Sequence, residues 1–253
     1  MKPTIGIVAA LAAAFFSGLD VQAQSFERPR PTARDWAAMA ELPDFSGVWE
    51  RAGGRGGGQG TPLEPTAEYA AIRQANVDRG AEDNETANCL PPGMPGIMGQ
   101  PYPMEFLMTP GKVTIVIEAY TQVRHIYTDG RDLPEDPDPL FFGTSVGRWE
   151  GETLVVESVG FSPLTQIARD LPHSGNMRIL ERFELQGPDT MTIETTIFDP
   201  EALASPYTTS TTLARHRDWT IAEYICEENN RNFVDADGRA GIILDNPGGF
   251  PQE

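Results

Sequence analysis

The chain has 253 residues, of which 40% are hydrophobic, with 37 acidic against 19 basic side chains and a net charge of −18. So acidic a surface repels phosphate backbones and anionic lipid, and nucleic acid and peripheral membrane are excluded as expected partners. The length suits one large domain, and all-β barrels commonly fill it without splitting.

Lys2 gives a positive start, Ile5 to Phe16 is an apolar run, and Val21-Gln22-Ala23 is a small-x-small site. This pattern predicts a signal peptide over 1–23, a mature chain from Gln24, and a periplasmic or secreted location. The competing reading, a membrane anchor, needs about 20 apolar residues, and the run is shorter. No later stretch is long enough to span, so no membrane insertion is expected once the signal is gone. Residues 24–43 read as a flexible arm with a short helix near Asp35–Glu41. Residues 44–232 read as the folded domain and 233–253 as a loose tail rich in Gly and Asp.

Val48 sits in a compact strand opening. Residues 52–60 are Gly-rich, but no Gly-Lys-Ser/Thr follows, so a phosphate cradle is not indicated. Pro65 to Arg79 predicts a surface or lid helix, with Pro65 in the first turn and Tyr69, Ile72 and Asn76 on one face. Residues 89–103 carry too many prolines for a central strand and predict a long coil wrapped on the domain. From Met104 the period changes to two. Strands are predicted at Met104–Met108, Val113–Ala119, Gln122–Thr128, Thr144–Trp149, Thr153–Val159, Arg178–Leu185, Thr190–Phe198, Tyr207–Arg215 and Trp219–Glu227. Tight turns such as Thr109-Pro110-Gly111-Lys112 and Glu150-Gly151 join most of them. Crossover helices have no room, so the fold class is all-β: an antiparallel barrel or strongly curved sheet with one or two short helices.

Cys89 and Cys226 both fall in the exported part, where a pair is expected to form a disulfide closing 226 − 89 = 137 residue steps. The alternative, a cysteine nucleophile, has no histidine adjacent in sequence.

Three strand faces carry a charge among apolar neighbours. They are Val123, His125, Tyr127; Ile179, Glu181, Phe183, Leu185; and Trp219, Ile221, Glu223, Ile225. If these faces point inward, His125, Glu181 and Glu223 converge as candidate catalytic residues. Buried carboxyls with raised pKa suit acid work and an imidazole suits base work near neutral pH. Tyr127, Arg148, Trp149 and Arg182 are the candidate substrate-binding residues. The plainer reading pairs Glu181 with Arg182 and Glu223 with Arg215 or Arg217, and turns each acid outward. His173 reads as a loop residue and His216 as a solvated hairpin tip. Asp132, Glu135, Asp136 and Asp138 form an acidic loop without calcium-loop spacing, and no zinc-ligand spacing occurs, so no metal is expected. Neither a Gly-x-Ser-x-Gly elbow nor a dinucleotide fingerprint is present, so no cofactor is expected.

Gly47-Val48-Trp49 at the start of the first strand, followed by a β-meander, resembles the lipocalin-type barrels, which implies an internal pocket for a small, largely apolar ligand. A wider set of motifs is similar to a family of exported bacterial β-rich proteins: PDFSGVWE, CLPPGMP, PYPMEF, TPGKV, RHIYTDGR, PEDPDP, GRWEGETLVVESVGF and YICEENNR. That resemblance covers roughly Asp44 to Arg231. It implies export and a β-rich fold and brings no reaction with it. Three functional classes therefore stand open. One is an acid–base enzyme of lyase, isomerase or hydratase type acting on a small organic molecule. The others are a carrier for such a molecule and an envelope interaction module. The oligomeric state is not written in the sequence.

Overall fold

The computed structural model describes residues 30–53, 60–79, 89–226, 232–234 and 240–242. The expectations for the signal peptide, for most of the Gly-rich stretch and for most of the tail lie outside these. The described residues from Thr32 onward form one compact unit.

Nine strands make the centre of that unit. They are β1 (Gly47–Arg51), β2 (Met104–Thr109), β3 (Lys112–Ile117), β4 (Gln122–Tyr127), β5 (Thr144–Glu150), β6 (Thr153–Val159), β9 (Arg178–Gly187), β10 (Thr190–Phe198) and β11 (Tyr207–His216). They close into a barrel in the order β1-β11-β10-β9-β6-β5-β4-β3-β2. Closure leaves no sheet edge along the ring. Every neighbouring pair is antiparallel except β4 and β5, which run parallel through Ile126↔Ser145 and Tyr127↔Val146. Residues 128–143 make the connection between them. Two short strands, β7 (Gln166–Ala168) and β8 (Leu171–Pro172), form a separate ladder, and β12 (Asn232–Val234) pairs with β13 (Ala240–Ile242) in the segment expected to be loose.

The hairpin signals place their strands closely. The helices also form: α1 (Ala33–Ala40), with a Thr32–Asp35 capping box, and α2 (Ala67–Arg79), which has no buried residue. One strand does not form. Residues 219–226 carry the expected alternation but have no ladder partner and run as a coil.

Alternation fills the lumen. Val113, Ile115 and Ile117 of β3 point in and are at most 2% exposed. Trp49 of β1 stacks edge-on against Phe106, which meets Phe183 edge-on in turn, at centroid distances of 6.5 and 6.2 Å. The first and last strands of the barrel are locked together at Trp49. Its indole N–H donates to the Phe45 carbonyl at 2.9 Å, and the Arg215 guanidinium of β11 lies 4.5 Å from its ring centroid and hydrogen-bonds the Asp44 carbonyl. Arg215 thus pairs near the N-terminal strand rather than with Glu223.

The Pro-rich coil contributes to the core rather than only wrapping it. Met94, Ile97 and Met98 are buried with Ile167, Leu171 and Met177. At its turn stands Gly93, with φ +62°, where a Cβ would sit 2.3 Å from Thr165 Cγ2 and 2.6 Å from the Phe141 carbonyl oxygen. Only glycine meets both demands there. The Asp199 carboxylate, 2% exposed, accepts from the Ser174 backbone N–H and hydroxyl, both at 2.7 Å, and ties the 160–177 segment to the end of β10.

Candidate functional site

The residues singled out on three strand faces do not meet. β4 presents its other face to the lumen. Its register opposite β3 sets Arg124 against Ile115 and Ile126 against Val113, so Arg124 and Ile126 turn inward. Residues directly opposite on neighbouring strands share a face, so the strong alternation of β3 decides the matter. Val123, His125 and Tyr127 therefore face out. His125 is exposed, 3.5 Å from the Thr114 hydroxyl, and partial burial together with the Lys112 charge holds its pKa below the ordinary value. Glu181 does point inward as expected. Glu223 is exposed on the coil after β11. The convergence of His125, Glu181 and Glu223 is thus corrected: one is inside the barrel, one is on its outer wall and one is off the ladder.

The substrate-binding candidates scatter in the same way. The Tyr127 ring lies under the Arg131 guanidinium at 3.9 Å. Arg148 and Arg182 both reach Glu150 on the surface, at 3.0 and 3.1 Å, and hold its carboxyl below the usual range, Arg182 most strongly. Trp149 is half-buried and packs on Phe45, 5.3 Å between centroids. His173 is half-buried rather than a free loop residue, its Nε2 2.9 Å from the Ser162 carbonyl oxygen and 3.0 Å from the Thr165 hydroxyl. His216 stacks on Trp219 at 3.6 Å. Asp132, Glu135, Asp136 and Asp138 are exposed or nearly so, and among the described residues no group of three or more His, Cys, Asp or Glu is placed to hold a metal.

Two arrangements take the place of the expected one. The first is inside the barrel. Arg124 and Glu181 are both 0% exposed at their side chains and form a two-point ion pair, Nη1 to Oε1 at 3.0 Å and Nη2 to Oε2. Arg124 Nη2 also reaches the Ser158 and Ser145 hydroxyls at 3.2 and 3.4 Å, and these lie 2.7 Å from each other. The Arg124 Nε–H is buried without a hydrogen-bond partner. Glu181 therefore has the partner that burial of a carboxylate requires, but it is Arg124 and not Arg182. The signal was present in QVRHIY: an inward acid calls for an inward base, and Arg124 is the cation one step out of phase with the face that looked more apolar.

The second arrangement lies where the chain between β3 and β4 meets the coil after β11. Cys89 and Cys226 are bonded, as expected. Beside the bridge is a shallow cleft of about 320 Å³, largely open to solvent and lined by Pro91, Tyr120, Thr121, Gln122, Tyr224 and Ile225 as well as both cysteines. Tyr224 is its centre. Its ring stands 5.3 Å from both Tyr102 and Tyr120, edge-on to the first and tilted to the second. Burial and the two neighbouring phenols push its hydroxyl up to about 12, and burial also raises Tyr120. Both phenols therefore stay protonated near neutral pH. Thr121 donates its hydroxyl to the Tyr224 carbonyl at 2.8 Å, and the Ala222 N–H donates to Glu118 Oε2 at 2.9 Å. Cys89, Tyr120 and Thr121 all carry positive φ, a conformation that non-glycine residues adopt at a cost and that clusters at sites. Two of its walls fall in the CLPPGMP and YICEENNR stretches, but nothing in sequence joined them into a site, because the walls come from three segments distant in sequence.

No family model and no curated protein matches this chain. Among solved structures, a secretary abundant heat soluble (SAHS) protein from Ramazzottius varieornatus is similar over 68% of this chain and 95% of its own, with 12% identity and a TM-score of 0.33. That likeness is too distant to carry a ligand or an activity from one protein to the other.

Proposed function

We propose that this protein is an exported carrier that holds a small organic molecule in the cleft beside the Cys89–Cys226 bridge and releases it unchanged. The observation that carries the reading is the cleft itself: an open groove of about 320 Å³ beside the disulfide, with aromatic and aliphatic walls and a few polar groups. Small-molecule sites are of this composition, and the volume reaches the lower end of their range. Export rests on the signal pattern at the N-terminus, and a disulfide fits an oxidising compartment. No described helix is long and apolar enough to cross a membrane. Binding rather than turnover is favoured because acid–base chemistry needs two titratable groups converging on one ligand, and His125, Glu181 and Glu223 lie apart.

The test is native mass spectrometry of the chain purified from its own extract. The reading expects one small molecule per chain, recovered with unchanged mass after repeated binding and release, and lost in Tyr224→Ala. Retention of that molecule by Tyr224→Ala would move the site elsewhere.

A second reading has one observation in its favour. The Arg124–Glu181–Ser145–Ser158 cluster puts a carboxylate and two hydroxyls side by side inside the barrel, groups of the kind that acid–base chemistry uses. Catalytic conversion of the recovered molecule by the wild type, absent in Glu181→Gln, would favour the enzyme over the carrier.

A further inference from the structure

Resting on the cleft as the binding site, we infer that its ligand is a planar aromatic molecule of at most two fused rings that carries no negative charge, and that its binding is coupled to the Cys89–Cys226 disulfide. The size follows from the space. An enclosed apolar cavity of about 150 Å³ holds one benzene ring, and the open cleft has about 320 Å³, so two fused rings are the most it covers. The shape follows from the walls. Tyr120 and Tyr224 offer ring faces and edges 46° apart, Pro91 and Ile225 offer flat aliphatic surface, and aromatic rings bind such surfaces by stacking and edge contacts. The exclusion of an anion follows from the surroundings. Among the described residues the lining contains no cation, and the chain as a whole carries −18, which repels a negative ligand. The phenols of Tyr224 and Tyr120 hydrogen-bond each other and the Gln122 Nε2 donates to the Tyr120 carbonyl at 2.8 Å, so a ligand meets the ring surfaces more than free polar groups.

The coupling follows from how one wall is held. Tyr224, Ile225 and Cys226 belong to the coil after β11, which pairs with no strand. What fixes this coil against the 89–91 wall is the disulfide, while the Thr121–Tyr224 and Ala222–Glu118 hydrogen bonds and the tyrosine ring contacts hold it to Tyr102 and to the chain between β3 and β4. A dithiol reductant breaks the S–S bond by exchange. Its two thiols close to their own disulfide, and the two electrons and two protons end as the thiols of Cys89 and Cys226. The wall then loses its covalent attachment to the opposite side. Linkage makes the effect reciprocal: a ligand that prefers the oxidised form protects the disulfide by the same factor.

The experiment uses the full chain, oxidised, with 2-naphthol as probe and 2-naphthoate as its anionic counterpart. Calorimetry is expected to find 2-naphthol bound at one site, with 2-naphthoate at least tenfold weaker and Tyr224→Ala abolishing binding while the far-ultraviolet spectrum is unchanged. Reduction is expected to weaken 2-naphthol binding at least tenfold. Saturating 2-naphthol should move the dithiol concentration for half-reduction upward by a matching factor. Equal affinity for the naphthoate overturns the charge and class. Equal affinity in both redox states overturns the coupling. If the reduced chain unfolds, Tyr224→Ala in the oxidised state decides: it must lose 2-naphthol binding and ligand protection of the disulfide together. If 2-naphthol fails while the copurifying molecule still depends on Tyr224, the inferred class is wrong and the carrier reading survives. If neither depends on Tyr224, the carrier site itself is wrong.

Discussion

Replacing Glu181 by Gln changes almost no volume and removes one charge from a fully buried pair. Two charge-assisted hydrogen bonds join Arg124 to the carboxylate. In the Glu181→Gln variant one of the two oxygens becomes an NH₂ that faces a guanidinium N–H, donor against donor. The Arg124 charge then has only the Ser145 and Ser158 hydroxyls and the one remaining oxygen, and its Nε–H is already unpaired. Removing one partner of a buried pair costs about 3–5 kcal/mol, most of it for the charge left behind. At roughly 2–4 °C per kcal/mol for a domain of this size, the melting temperature should fall by about 10 °C. Arg124→Met should cost a similar amount. The double variant Arg124→Met with Glu181→Leu, which removes both charges and fills the space, should recover nearly all of the loss. A double-mutant cycle by urea unfolding measures the difference as a coupling free energy of at least about 2 kcal/mol. If Glu181→Gln is silent, or the double variant is as unstable as the sum of the singles, then the pair is not the closed, desolvated unit described above.

The other predictions are independent of it. Changing Cys89 and Cys226 together to Ser removes a closure of 137 residues and should cost on the order of 4–5 kcal/mol in urea unfolding, read against the oxidised wild type. Gly93→Ala places a Cβ into the Thr165 side chain and the Phe141 carbonyl at a positive φ, and should lower the melting temperature by roughly 5 °C or more, whereas Gly151→Ala, with open space around it, should cost less. His125 should titrate below 6.5 by NMR and move upward in Lys112→Gln, because the Lys112 charge is one of the two causes of its lowered pKa. The sign for stability follows from that direction. The unfolded chain takes up the proton first, so the His125 contribution is complete above 6.5 and is lost as pH falls through 6.5 toward the folded pKa.

Much of the barrel was readable because hairpin turns announce themselves locally. Thr109 to Lys112 and Glu150-Gly151 fix both ends of their ladders, and the two-residue period between turns does the rest. What failed was phase and partnership. On β4 neither face is strongly apolar, so composition alone favours Val123, His125 and Tyr127, and only the pairing with β3 shows that Arg124 faces in. At 219–226 alternation is present but the ring has already closed through β11 and β1, so the segment has no ladder to join. The cleft was invisible for a further reason. Tyr102, Tyr120 and Tyr224 each look ordinary in sequence, and what brings them together is the disulfide and the turn at Tyr120 with its positive φ.

The parallel junction between β4 and β5 has an arithmetical cause. Strands in a ring can alternate up and down all the way round only if their number is even, and this ring has nine. One mismatch is obligatory, and it has been placed where the register comprises just two residue pairs. A short junction with slanted bonds is where such a ring should part first under thermal motion. Arg124 projects from β4 across this seam, to Ser145 on β5, Ser158 on β6 and Glu181 on β9. One side chain thus stitches four strands at the place where the backbone ladder holds least, so amide exchange in Ile126 and Val146 is the part of the molecule that a loss of Arg124 should reach before any other.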